Sequence, residues 1–92
     1  MRLAIIDDEK HCVESLALDL QSLATDLEIV LKSTRPQDCL ERLQNEQIDL
    51  LFLDVEMPGI NGFELLELLP HIHFDVVFTT AHSEYAVRAF RN

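Results

Sequence analysis

Short apolar runs recur along the chain, and each is followed by polar or turn residues and then by a segment with helical spacing. The run at residues 50–53 is the clearest, because it lacks polar alternation, a pattern typical of a strand buried on both faces of a parallel sheet. Pro-Gly and Asn-Gly turn signals follow it. The predicted strands cover residues 3–6, 28–32, 50–53 and 74–79.

The segments between these strands have the apolar spacing of amphipathic helices. The best defined covers residues 13–27. A second helix should begin near Pro36, and a third should span about residues 62–69 and end at Pro70. Ser83 can cap a last helix. The inward positions are Val13, Leu16, Ala17, Leu20, Leu23, Ala24 and Leu27 in the first helix, Cys39, Leu40 and Leu43 in the second, and Tyr85, Ala86, Ala89 and Phe90 in the last.

Strands that alternate with helices predict right-handed crossovers and a parallel sheet. A chain of this kind usually reverses direction once, which gives a flavodoxin-like, doubly wound α/β fold with strand order 2-1-3-4. The first and third strands are then neighbours, and they lead into Asp7-Asp8 and Asp54. We therefore expect three carboxylates at the carboxyl edge of the sheet, where open α/β sheets bind their ligands.

The composition fits one packed domain: the chain has 92 residues, of which 48% are hydrophobic. A formal charge of -10 would repel nucleic acid and anionic lipid, so these residues should contact neither directly. We see no signal peptide, and no apolar run approaches the ~20 residues of a membrane span. Cys12 and Cys39 lack CxxC spacing and are predicted to be reduced core thiols of a cytoplasmic protein.

Three converging carboxylates should attract a cation, since each negative charge disfavours ionisation of the others. Oxygen ligands favour Mg²⁺, whereas zinc prefers His or Cys, and the four histidines show no ligand spacing. A metal site with one carboxylate free to attack suits phosphoryl transfer to an aspartate. Asp54 is the candidate nucleophile, because it ends the most apolar strand. Thr80 can hydrogen-bond a phosphoryl oxygen on it, and Ala81 leaves room.

The chain resembles a known family at three places. Asp7-Asp8 follows an apolar strand, Asp54 precedes V-E-M-P-G-I-N-G-F-E-L-L, and T-A follows the fourth strand. These motifs, in this order, are similar to those of the receiver domains of two-component response regulators. The segment FTTAHSEYAVRAF is most similar to receivers of LytTR-type regulators, whose output domain binds DNA.

This resemblance implies a signalling domain and not an enzyme, in which Asp54 accepts a phosphoryl group from a sensor histidine kinase. Asp7 and Asp8 would help to bind Mg²⁺, and the backbone carbonyl of Glu56 would be a further ligand. Thr80 would act as the switch, with Ala81 beside it. The state of Asp54 would control a C-terminal output domain that is absent from this chain.

Two departures from the family pattern concern the end of the chain. In the family, a fifth strand leads to a lysine that pairs with the phosphate, and a fifth helix follows; this chain stops at Asn92. We therefore expect residues 1–92 to form a receiver domain that is incomplete at its C-terminus, without the catalytic lysine. The fourth strand would be a bare apolar edge, at Val76, Val77 and Phe78. Such a chain should form a homodimer or an element-swapped oligomer, or be only marginally stable.

Two other functions remain open from the sequence. A pseudo-receiver would bind partners without being phosphorylated. A small Mg²⁺-dependent phosphohydrolase would use Asp54 as nucleophile, but enzymes resembling the haloacid dehalogenase class carry a D-x-D motif, and here Val55-Glu56 follows the aspartate.

Overall fold

The computed structural model describes residues 1–79, which form four strands, three α-helices and one turn of 3₁₀-helix. The helix predicted after Ser83 lies outside the described residues. In chain order, the elements are β1 (Arg2–Ile6), α1 (Lys10–Leu23), β2 (Glu28–Ser33), the 3₁₀ turn (Pro36–Cys39), α2 (Leu40–Asn45), β3 (Leu50–Asp54), α3 (Gly62–Glu67) and β4 (Asp75–Thr79).

The strands form one parallel sheet in the order β2-β1-β3-β4. This order confirms the doubly wound α/β fold predicted from the sequence. The ladder between β1 and β3 runs from Leu3 opposite Leu50 to Ile6 opposite Leu53. Because this ladder stops at the ends of both strands, the residues that follow β1 and the last residue of β3 meet at the same edge of the sheet.

The two faces of the sheet carry separate hydrophobic clusters of unequal size. The face that carries α2 and α3 buries Leu51 and Leu53 completely. On the opposite face, α1 covers Leu3 and Ile5, while Leu50 and Phe52 stay half-buried. The expectation that β3 is buried on both faces is therefore only partly correct for the described residues.

The first helix is shorter than predicted, because it ends at Leu23 and the backbone of Ala24 is extended. The chain must turn here so that β2 can begin beside the amino terminus, where the Glu28 N–H donates to the Met1 carbonyl at 2.9 Å. Leu27 nevertheless packs against the α1-side cluster. The apolar spacing continues past the helix because it follows the core, even where the backbone is no longer helical. Leu23 itself is 77% exposed.

The other elements differ from prediction mainly at their ends. The second helical segment begins as the 3₁₀ turn and becomes α-helical only at Leu40. The last turn of α3 tightens, since Leu68 and Leu69 donate to carbonyls three residues earlier, as is common at helix termini. Each of the four strand predictions lies within one or two residues of the observed bounds.

Among residues 1–79, no helix is both long and apolar enough to span a membrane.

The start of α3 is attached to the end of β3 through backbone contacts. The Gly62 N–H donates to the Val55 carbonyl at 2.9 Å. A Cβ at position 62 would lie 2.6 Å from the Asp54 carbonyl oxygen, a distance that forces a shift. Asn61 and Glu64 form a reciprocal capping box, with hydrogen bonds of 2.8 and 2.9 Å. Helix α3 therefore supports the backbone that presents Asp54.

We predict that Gly62→Ala lowers the free energy of unfolding by about 1–3 kcal/mol, since the added methyl overpacks a site lined by backbone. Urea denaturation followed by circular dichroism measures this change. Gly59→Asn is the matched control, because the nearest atom to a Cβ there is 3.6 Å away and its φ of 85° suits asparagine; it should cost less than about 1 kcal/mol. Equal losses in the two variants would contradict the proposed collision.

Candidate functional site

Asp7, Asp8 and Asp54 lie together at the carboxyl edge of the sheet. One carboxylate oxygen from each lies within 4.8 Å of those of the other two. Asp7 and Asp8 directly follow β1, and Asp54 is the last residue of β3. All three side chains are half-buried. The structure thus brings together the three aspartates that the strand order predicted to converge.

Backbone hydrogen bonds orient two of these carboxylates. The Glu9 N–H donates to Asp7 Oδ1 at 2.9 Å, and the Glu56 N–H donates to Asp54 Oδ1 at 3.2 Å. In both cases the donor is two residues after the acid, so each aspartate closes a local turn with its own backbone. One oxygen of Asp54 is held in this way.

Burial and mutual repulsion disfavour the charged form of the cluster. Partial burial, the negative charge of Asp7 and a side-chain hydrogen bond with Asp8 raise the pKa of Asp54 to about 7. Partial burial also raises the pKa of Asp7, despite the opposing hydrogen bond from Glu9. Asp54 is therefore only partly ionised near neutral pH when no cation is bound.

A hard divalent cation suits this set of atoms. Mg²⁺ takes oxygen ligands in an octahedron at about 2.0–2.1 Å, so its ligand atoms lie about 3 to 4 Å apart. The three carboxylates, within 4.8 Å of one another, need only a small contraction to reach that spacing. A cation would also remove the repulsion that raises the pKa of Asp54. The donor set therefore fits Mg²⁺.

The cluster lies in an open depression between β1, β3 and the start of α1. Thr79, which pairs with Asp54 across the β3–β4 ladder, lies on one side, and the exposed Glu56 lies on another. Over residues 1–79, no lysine or arginine lines this depression. Thr80 and Ala81, predicted as switch residues, lie outside the described residues. The role of the Glu56 carbonyl as a metal ligand stays a prediction.

Residues of the first turn of α1 also line the depression, although the sequence pattern did not place them there. Cys12 is half-exposed at this position, so the expectation that it is a core thiol is wrong, whereas Cys39 is buried as predicted. Burial, followed by the charges of Asp7, Glu9 and Asp54, raises the pKa of the Cys12 thiol. The sequence contains a signal for this placement, because Glu9, His11 and Cys12 closely follow Asp7-Asp8.

Several known proteins have sequences similar to that of this chain. An uncharacterized response regulatory protein of Yersinia pestis is 40% identical over 91 residues, which are 98% of this chain and 38% of that protein. The transcriptional regulatory protein NatR of Bacillus subtilis is 36% identical over 92 residues, which are 98% of this chain and 39% of NatR. The chain thus spans less than two fifths of the length of these relatives.

Solved structures share the fold. The response regulatory domain of MrkE from Klebsiella pneumoniae superposes with a TM-score of 0.81 at 31% identity, over 99% of this chain and 75% of that one. The response regulator TrrA from Thermotoga maritima, solved in complex with Mg²⁺ and BeF, superposes with a TM-score of 0.76 at 30% identity, over 94% of this chain and 74% of that one.

The family model of the response regulator receiver domain matches residues 3–92, nearly the whole chain. The fold of this chain, its cluster of three aspartates and its similarity to these relatives agree with that match. The chain belongs to the receiver domain family of response regulators.

Proposed function

We propose that this receiver domain accepts a phosphoryl group on Asp54 from the phosphohistidine of a sensor histidine kinase. The observation that carries the proposal is the cluster of three carboxylates within 4.8 Å, with Asp54 at the end of a central strand. An isolated aspartate at a strand end would be a solvated turn residue. Three together form a site that binds a cation and presents a nucleophile.

Asp54 performs the transfer as the carboxylate. One of its oxygens forms a bond to phosphorus while the bond from phosphorus to the imidazole nitrogen of the donor breaks, and the histidine leaves as neutral imidazole after taking up a proton. The Glu56 N–H holds Asp54 Oδ1, which limits rotation of the carboxylate. Because the pKa of Asp54 is about 7 without metal, a bound cation would increase the fraction of Asp54 that is ionised at neutral pH.

Asp7, Asp8, Asp54 and the backbone carbonyl of Glu56 would hold Mg²⁺. When bound, the ion neutralises negative charge on the phosphoryl group and on the surrounding carboxylates. TrrA, which is similar to this chain, was solved in complex with Mg²⁺ and BeF, and that similarity supports this cofactor. Asp7 and Asp8 contribute charge and position, and Asp54 alone forms the covalent bond.

Phosphorylation would regulate an output domain. Thr80 would move toward the phosphoryl oxygen beside the small Ala81, and the signal would pass to the part of the protein that follows residues 1–92. NatR of Bacillus subtilis, which is similar to this chain, is named a transcriptional regulatory protein, and this similarity supports an output domain that regulates transcription. The domain itself, with a charge of -10, would not contact DNA. Such a protein would work in the cytoplasm.

Incubation with acetyl phosphate and Mg²⁺ should give a protein that carries one phosphoryl group, and Asp54→Asn should remove the label. Mass spectrometry measures the added mass. Asp38→Asn is the matched control, because it is an exposed aspartate of the 3₁₀ turn and should label like the wild type. Continuous release of phosphate without a labelled protein would indicate a phosphohydrolase. No label and no turnover would indicate a pseudo-receiver.

The thermal stability of the metal-free protein should fall as the pH rises from about 4 to 7. The pKa of Asp54 is raised from 3.8 to about 7, so the folded state binds more protons than the unfolded state in that window, and this contribution to stability is lost as the pH rises. Asp54→Asn should weaken the dependence, and Mg²⁺ should stabilise the wild type more than the variant at pH 7.5. Melting curves at several pH values measure both effects. The same dependence of melting temperature on pH in the wild type and in Asp54→Asn would be inconsistent with the raised pKa.

Glu56 should influence how long the phosphoryl group stays on Asp54, because its carboxylate adds negative charge at the rim of the site. Replacing Glu56 by Ala or Asn should change the lifetime of phospho-Asp54. The decay of the labelled protein after removal of acetyl phosphate gives this lifetime. Glu67→Ala, an exposed glutamate at the end of α3, should leave it unchanged, and an unchanged lifetime in the Glu56 variants would refute the role.

A further inference from the structure

A second group of potential metal ligands lies beside the aspartates, at the start of α1. The Cys12 Sγ lies 3.6 Å from His11 Nε2 and 3.9 Å from Glu9 Oε2. The same Glu9 oxygen lies 3.2 Å from His11 Nε2. A sulfur, a nitrogen and an oxygen thus converge on one point, and none of these three residues has a role in the phosphorylation proposed for Asp54.

The three separations match those of a tetrahedral zinc site. Zinc binds sulfur at about 2.3 Å and nitrogen or oxygen at about 2.0–2.2 Å, so tetrahedral geometry places its ligand atoms about 3.4 to 3.6 Å apart. The observed distances of 3.6, 3.2 and 3.9 Å each differ from the required edge by about 0.3 Å or less. A cation can therefore bind here with only small movements of the side chains.

The position of Glu9 supports this interpretation. Glu9 is the N-cap residue of α1, but its side chain makes no capping hydrogen bond to the helix. Its carboxylate instead approaches His11 and Cys12. An ion pair with a protonated imidazole would account for the contact with His11. The Cys12 thiol donates a weak hydrogen bond to the same Glu9 oxygen, so both of the other ligand-type side chains converge on one carboxylate oxygen.

We propose that Glu9, His11 and Cys12 bind a thiophilic divalent cation, such as zinc, at the rim of the acidic depression. Thiolate and imidazole select such ions, whereas the all-oxygen aspartate cluster selects Mg²⁺. His11 and Glu9 are largely exposed, with 80% and 57% of their side-chain surface accessible, so solvent or an exogenous ligand can take the fourth position. Binding replaces the thiol proton of Cys12.

The two sites would affect each other, because Cys12 and Asp54 line the same depression. A cation on the rim would reduce the negative electrostatic potential around the three aspartates. It would also occupy part of the approach to Asp54. The availability of a thiophilic ion such as zinc would thus influence the phosphorylation of Asp54, which uses Mg²⁺.

Co²⁺ is a suitable spectroscopic probe, used anaerobically with the full chain and without added thiol. We expect one Co²⁺ to bind and to give a thiolate-to-cobalt charge-transfer band that persists in excess Mg²⁺. Cys12→Ser should abolish the band, and His11→Ala should weaken Co²⁺ binding at least about tenfold. His71→Ala is the matched control, since His71 is also exposed and lies far along the chain; it should bind like the wild type.

Asp54→Asn separates this proposal from the proposed phosphorylation, because it removes the nucleophile and leaves all three rim ligands in place. The charge-transfer band should persist in this variant. The proposal is overturned if Co²⁺ binds without the band, if Mg²⁺ or Asp54→Asn removes it, or if His11→Ala leaves binding unchanged. Circular dichroism of each variant shows whether a loss of binding reflects a loss of fold.

Discussion

The pairing of β1 with β3 is the constraint on which the rest of the site depends. Burial of the apolar strands drives this pairing, and the ladder stops where the acidic residues begin. The burial of the apolar strands therefore holds three acidic side chains close together despite their mutual repulsion. No lysine or arginine of residues 1–79 lines the depression; Lys32, for example, contacts Glu14, and Arg2 contacts Glu28 and Glu46. The depression therefore has a negative electrostatic potential, and a bound cation would reduce the repulsion among its carboxylates.

Much of this arrangement follows from the sequence. The order of apolar runs predicts the sheet, and the acids at two strand ends predict the cluster, because strand ends and sheet order are set by burial over many residues. The helix ends are less predictable. Leu27 continues the apolar spacing of α1 from outside the helix, so periodicity alone cannot show where the backbone leaves the helical conformation. The capping box at Asn61 and Glu64 could have been found from its spacing.

The first turn of α1 is where sequence reasoning fails most clearly at the site. The pattern predicts a core position for Cys12 because free cysteines are usually buried, whereas the structure leaves this side chain half-exposed. In the structure, Glu9, His11 and Cys12 converge although they are almost adjacent in the chain. The reason is local. The chain passes from the loop after β1 into α1 here, and the N-cap residue Glu9 lies beside the side chains of the first helical turn.

The close contact between Gly62 and the Asp54 carbonyl also matters for anyone who wishes to build a biosensor on this scaffold. A fluorophore or an inserted peptide at the start of α3 would displace the backbone of the reactive residue, and the label would change the event it was meant to report. The outer face of α1 is a better attachment point, for example at Leu18, whose side chain is 68% exposed.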